Sequence, residues 1–108
     1  MAISFIITTY NILPYIERCL QSVAQASRPG DEIILVDDGS DDGTAERVQA
    51  FVDEGHFPDD VDFRPIYLGT NTIGGVGIGA NIGLNAARCE TIFFVDGGDW
   101  IDVAGFQK

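Results

Sequence analysis

Four short apolar stretches punctuate this chain, around Ile3–Ile7, Ile33–Val36, Phe63–Leu68 and Ile92–Val95, and turn formers bound each of them. Runs of this length rich in β-branched and aromatic residues predict strands, here over about 3–8, 32–36, 63–68 and 91–95. Between them the apolar spacing changes from two to three-and-four. Ile16, Cys19, Leu20, Val23 and Ala24 keep one helical face behind Pro14, which suits a first turn. Ala45, Val48, Phe51 and Val52 form a second stripe starting near Gly43 or Thr44, with Ser40 or Asp41 as the expected cap. A third helix is predicted over about 78–87, with Ile82 and Ala86 turned inward and Leu84 near them. Strand, helix and strand joined by short loops make right-handed parallel crossovers. The chain therefore predicts an α/β fold with a mostly parallel four-stranded sheet, order 3-2-1-4, flanked by helices. Pro65 has no amide hydrogen for a ladder, which puts the third strand at an edge. The polar stretch 53–62 reads as a surface loop.

Composition narrows the classes. At 108 residues and 45% hydrophobic content the chain makes one domain. Its apolar runs fall far short of the roughly 20 residues of a transmembrane helix. The first residues lack the basic start and long apolar middle of a secretion signal, so the expected location is cytoplasmic. Cys19 and Cys89, placed on two predicted helices without metal-like spacing, read as free thiols of a reducing compartment. Six basic against seventeen acidic residues give a net charge of −11, which leaves no basic patch for nucleic acid. An anionic ligand on such a surface needs a bridging cation, and carboxylates select hard ions such as Mg²⁺ or Mn²⁺.

The candidate chemistry lies at strand ends. Asp37-Asp38 follow the second apolar run and precede Gly39-Ser40-Asp41-Asp42-Gly43-Thr44; Asp96-Gly97-Gly98-Asp99 follow the fourth. Open parallel sheets bind ligands beyond the carboxyl ends of their strands, at the switch point. There Thr8, Thr9, Tyr10 and Asn11 would meet both acidic pairs. The bland alternative is that Asp37 and Asp38 cap the next helix and answer its positive end. The glycine-dense segment 74–79 lacks the Lys-Ser/Thr ending of a triphosphatase loop and the dinucleotide spacing, so close packing is as good a reading as phosphate binding. His56 reads as solvated surface. Trp100 reads as a ligand stacker or as a lid over the core edge.

Taken together, Ser4-Phe5-Ile6-Ile7-Thr8-Thr9-Tyr10-Asn11, Val36-Asp37-Asp38-Gly39-Ser40-Asp41-Asp42-Gly43-Thr44, Asn71 with its glycines and Asn81-Ile82-Gly83-Leu84, and Phe94-Val95-Asp96-Gly97-Gly98-Asp99-Trp100 resemble family 2 glycosyltransferases of the GT-A fold. The resemblance implies a Rossmann-like GT-A half domain over residues 1–108, a nucleotide-diphosphate sugar donor, usually UDP-linked, and Mg²⁺ or Mn²⁺. It carries over as Thr8, Tyr10, Asp38, Asn71 and Asp96 for the nucleotide, with Tyr10 stacking and Asp38 accepting from the base. Asp96 and Asp99 would take the metal.

Two departures qualify it. Gly98 stands where the family usually has an acid. Relatives also run to about twice this length, so the acceptor half and the catalytic base are expected to be absent. Homodimerisation through the face that half would cover is a further expectation. Two readings stay open at this point: a donor-binding glycosyltransferase domain, active in a longer chain, and a non-catalytic nucleotide or nucleotide-sugar module with an impaired metal site. A receiver-like signalling domain fits poorly, because Tyr10-Asn11 follow the first strand where acids are needed.

Overall fold

In the computed structural model, which describes residues 2–73, 76–103 and 105–106, seven elements alternate along the chain. They are β1 (Ile3–Thr9), α1 (Leu13–Ala26), β2 (Glu32–Asp37), α2 (Thr44–Asp53), β3 (Asp62–Tyr67), α3 (Val76–Ala86) and β4 (Thr91–Asp96). The strands form one parallel sheet in the order β3-β2-β1-β4. This is the expected α/β, Rossmann-like architecture, with Pro65 on an edge strand. The switch point falls between β1, which leads to β2, and β4 on its other side.

Strand alternation sorts the side chains into two layers. Phe5, Ile7, Ile33, Leu35 and Val95 point into the main core with Ile16, Cys19, Leu20 and Val23 of α1 and Val48 and Phe51 of α2. Fully burying each such Ile, Leu or Phe contributes about 1.5–3 kcal/mol. Ile6, Ile34 and Val36 are equally buried but lie outside that cluster, beneath α3. There α3 approaches closely because it carries glycines. A Cβ on Gly83 would stand 2.5 Å from Ile6 Cγ2, and one on Gly79 would stand 3.3 Å from Thr8 Cγ2. The close-packing reading of the glycine segment therefore holds at Gly79, while Gly74 and Gly75 lie outside the described residues. α3 packs mainly on β1 and β2, and Phe94 of β4 stays 54% exposed. Phe93 packs instead on the opposite face, 5.9 Å from Phe5 and 5.1 Å from Phe106 between ring centroids.

Several local expectations fail. Neither Ser40 nor Asp41 caps α2: its N-cap is Gly43 at φ +97°, without a side-chain cap hydrogen bond, and Asp42 Oδ1 accepts from the Thr44 amide at 3.0 Å. Asp42 also accepts from the Leu13 amide, and Thr44 Oγ1 accepts from the Ile12 amide, so the loop before α2 satisfies the orphan donors of α1. Ser40 and Asp41 serve Asn11, which sits at φ +51°: Ser40 Oγ accepts from its amide and its Oδ1 accepts from the Asp41 amide. Cys89 is not helical, because α3 stops at Ala86, whose carbonyl takes a hydrogen bond from Arg64 at 2.5 Å. The Cys89 amide donates to Ser4 Oγ. Leu84 is exposed rather than near the inward pair. His56 is not simply solvated: it bonds Glu54 at 3.0 Å and stacks on Phe51 at 4.3 Å.

At the amino end of the sheet, buried Glu32 joins four segments. Its carboxylate accepts from Ser4 Oγ at 2.6 Å, from Arg64 at 2.7 Å and from the Arg88 amide. Burial pushes its pKa up, but these hydrogen bonds and the Arg64 charge outweigh burial and hold it below the ordinary 4.5.

Candidate functional site

The two acids that close β2 have different fates. Asp37, in register with Thr9 and Tyr67, is a buried node: its Oδ1 accepts from the hydroxyls of Thr9 and Ser40, both at 2.6 Å, and its Oδ2 from the Ser40 amide at 3.0 Å. Asp38, one residue on, turns to the other side. Its amide bonds the Thr9 carbonyl, while its Oδ1 accepts from the Thr72 amide at 2.9 Å. Its Oδ2 accepts from Asn71 Nδ2 at 3.1 Å and from the Thr72 hydroxyl at 3.0 Å. Neither acid caps α2, which rules out the bland alternative. A carboxylate offers about four lone-pair sites, so a site on Oδ1 is left without a donor among the described residues.

The loop that supplies those donors crosses close over Gly39. That residue has φ +77°, and a Cβ there would lie 2.5 Å from the Asn71 amide nitrogen and the Thr70 carbonyl carbon. Only glycine combines that backbone with that approach. Asn71, expected at the nucleotide, instead braces Asp38, also donating to its carbonyl at 3.1 Å. Thr72 plays the same part, and no sequence pattern pointed to it.

Asp38 and Asp96 face one cleft of about 230 Å³. Thr8, Thr9, Tyr10, Ile12, Val36 and Gly79 complete its walls. Four of the five residues expected at a nucleotide thus line a single cavity at the carboxyl edge of β1, β2 and β4. Tyr10, one of its walls, is half exposed. Asp96 also borders a second, wider cleft of about 640 Å³ that contains Asp99, Trp100, Asp102 and the aromatic rings of Phe93, Phe94 and Phe106. Asp96 is where the two clefts meet.

The turn after β4 is tight. The Gly97 amide donates to the Thr8 carbonyl, the Asp99 amide to the Asp96 carbonyl, and the Gly98 amide to Asp96 Oδ1. Beneath the turn lies the Cys19 thiol, pushed up to about 12 first by burial, then by the charges of Asp96 and Asp99. Asp96 and Asp99 both line the wider cleft. No group of three acids, histidines or cysteines suited to a metal occurs among the described residues. Two carboxylates still fit a hard cation, since Mg²⁺ and its like are commonly held by one or two carboxylates with water and substrate phosphate completing the shell. Trp100, half exposed on the wall of the wider cleft, carries the Arg18 guanidinium over one ring face at 3.4 Å.

Comparison with known proteins agrees with this geometry. The family profile described as Glycosyl transferase family 2 matches residues 4–107. The uncharacterized glycosyltransferase EpsJ of Bacillus subtilis is 36% identical over 98% of this chain and 28% of its own length. The crystal structure of Staphylococcus aureus TarS 1–349 in complex with UDP-GlcNAc superposes with a TM-score of 0.80 at 33% identity, over 95% of this chain and 28% of that one. A mannosyltransferase from Pyrobaculum calidifontis, solved with GDP-Man and Mn²⁺, has a TM-score of 0.80 at 24% identity, over 93% and 28% respectively, and speaks for the fold alone. The chain spans less than a third of the length of each of these relatives.

Proposed function

Because this chain belongs to glycosyl transferase family 2, we propose that it forms the donor-binding part of a GT-A glycosyltransferase, holding a nucleotide-diphosphate sugar, with UDP as the nucleotide. The observation that carries this reading is that Asp38 and Asp96, from different strands, line one cleft with Thr8 and Tyr10. TarS, which resembles the chain over nearly all its length, was crystallised with UDP and with UDP-GlcNAc.

In this reading the open site on Asp38 Oδ1 accepts an N–H of the base. Tyr10 stacks on the ring, and Thr8 flanks it. Asn71 and Thr72 act through Asp38 by fixing its carboxylate. Asp96, where the two clefts meet, and Asp99 would hold Mg²⁺ or Mn²⁺, and the charge such an ion supplies would offset that of the diphosphate. The sugar then extends into the wider cleft. Transfer also requires an acceptor hydroxyl and a base to take its proton. No helix among the described residues is long and apolar enough to cross a membrane. With Cys19 and Cys89 free, we assign the chemistry to the cytoplasm.

Gly98 favours a second reading, a nucleotide-binding module without catalysis, since an acid of the metal turn is missing. Calorimetric titration of the chain with UDP, with and without Mn²⁺, separates the two. Mn²⁺-enhanced binding that Asp96→Ala abolishes supports the transferase site. Metal-independent binding, indifferent to Asp96→Ala and Asp99→Ala, supports the module.

A further inference from the structure

We infer that α1 sets the spacing of the two cation-holding carboxylates, through Ser22 and Arg18 acting as positioning residues on the turn after β4. This inference rests on the donor-site reading above and adds residues to it. The two ends of the turn are held differently. Asp96 is fixed by the β-ladder, where it pairs with Thr8, and the Gly97 amide adds a bond to the Thr8 carbonyl. A Cβ at Gly97 would lie 2.7 Å from that carbonyl, so the strand end is tightly packed. Asp99 stands beyond Gly97-Gly98, two residues with high backbone freedom. From the β4 side it is tied by its own amide to the Asp96 carbonyl.

On the far side of Asp99 the backbone is anchored to α1. Ser22 is buried, and its hydroxyl is committed on both sides: it donates to the Cys19 carbonyl at 2.8 Å and accepts from the Ile101 amide at 2.9 Å. With its hydrogen directed at Cys19, the oxygen lone pair is aimed at Ile101, whose side chain is itself in the core. Four residues earlier on the same helical face, Arg18 covers Trp100 at 3.4 Å. Trp100 and Ile101 are the two residues after Asp99, so the pair of contacts clamps the free end of the turn. Neither contact involves Asp38, Asn71 or Thr72.

The test separates positioning from plain stability. Ser22→Ala and Arg18→Met are compared with the unaltered chain and with Arg18→Lys, which keeps a cation over the ring. Mn²⁺ affinity is read by the paramagnetic resonance of free Mn²⁺ at saturating UDP, uridine affinity by calorimetry without metal, and folding by urea titration. The expected result is that Ser22→Ala weakens Mn²⁺ binding about fivefold, the share of one buried hydrogen bond. Arg18→Met should weaken it about two- to fivefold, and Arg18→Lys should restore most of that loss. Uridine affinity should stay within about twofold in all variants. Unchanged Mn²⁺ affinity in both variants, or uridine affinity falling in parallel with it, would overturn the inference alone. Absence of Mn²⁺ binding by the unaltered chain would overturn the donor-site reading and the clamp with it. Arg18 lies on the exposed side of α1, so its variants stay informative even if Ser22→Ala unfolds.

Discussion

Replacing Asp38 by Asn changes one atom type and removes one charge, yet the hydrogen bonds around it make the consequence calculable. The carboxylate now accepts from the Thr72 amide on one oxygen and from Asn71 and the Thr72 hydroxyl on the other. An Asn amide has one acceptor oxygen and one NH₂ group. If its oxygen takes the Oδ2 place, its NH₂ faces the Thr72 amide; if it flips, its NH₂ faces Asn71 Nδ2. In both poses two donors confront each other in a largely buried position, which costs about 1–3 kcal/mol of folding stability. The open site on Oδ1 suffers as well. A hydrogen bond from a base N–H to a charged acceptor contributes about 1.5–3 kcal/mol, so uridine affinity should fall roughly ten- to hundredfold. Urea titration checks the first number and metal-free calorimetry with uridine checks the second. An Asp38→Asn chain as stable as the original, binding uridine within a factor of two, would refute the claim that this carboxylate both anchors the loop and reads the base. Loss of stability with unchanged uridine affinity would assign Asp38 to the loop alone.

Other substitutions probe the turn and the frame. At Gly98 a Cβ would meet Asp96 Oδ1 at 3.4 Å and Ile12 Cγ2 at 3.9 Å, and the backbone is outside the left-handed region; Gly98→Asp should therefore fold normally and raise Mn²⁺ affinity about tenfold, and no gain would mean that position 98 does not face the ion. Gly97→Ala should lose about 2 kcal/mol or more in a urea titration, since its Cβ would press on the Thr8 carbonyl and the Thr9 methyl at 2.7 Å. Glu32 has a folded pKa held below 4.5, so its stabilisation is complete above that value and is lost as pH falls below it; the drop in urea midpoint between about pH 6 and pH 3 should be smaller in Glu32→Gln, and an equal drop would show that this latch does not titrate with folding. With its thiol pushed up to about 12, Cys19 holds roughly one thiolate per ten thousand at pH 8. Iodoacetamide should thus label Cys89 first in the folded chain, and simultaneous labelling would contradict the burial of Cys19.

The sheet was legible because its signals are local. Apolar runs such as Ile33–Val36 have strand length, and the three-and-four spacing of Ile16, Cys19, Leu20 and Val23 admits one helical face. Strand order followed from connection length and the edge position of Pro65. Convergence of Asp38 and Asp96 followed from the order, since both terminate strands that flank β1. The illegible part depends on contacts between residues about 30 or more apart. Nothing local says that Ser40 and Asp42 turn to Asn11 and Leu13 instead of capping α2. Nothing local separates Asp37 from Asp38 either: the pleat sends one toward Thr9 and Ser40 and the other toward Thr72. Thr72 and Ser22 belong to no motif, and each matters through hydrogen bonds whose partners are known once the chain is folded.

On the proposed donor-site reading, the charge of the chain and the charge of a nucleotide diphosphate account for a site divided in two. A net charge of −11 repels a nucleotide diphosphate, so binding cannot rest on electrostatic attraction to the protein itself. The nucleoside end escapes the problem: base and ribose are neutral, and Asp38, Thr8 and Tyr10 need only hydrogen bonding and stacking to hold them. The diphosphate end does not escape it, for Asp96 and Asp99 are themselves anions and gain affinity for phosphate only with a cation between. Cation and diphosphate must therefore bind cooperatively, each raising the affinity of the other by the same factor. In such a scheme the distance between Asp96 and Asp99 matters more than the affinity of either alone, because two ligands supply the protein's whole share of the coordination shell. A turn with two glycines cannot fix that distance by its own backbone. The contacts from α1 to Trp100 and Ile101 can, and that dependence is what the Ser22 and Arg18 variants test.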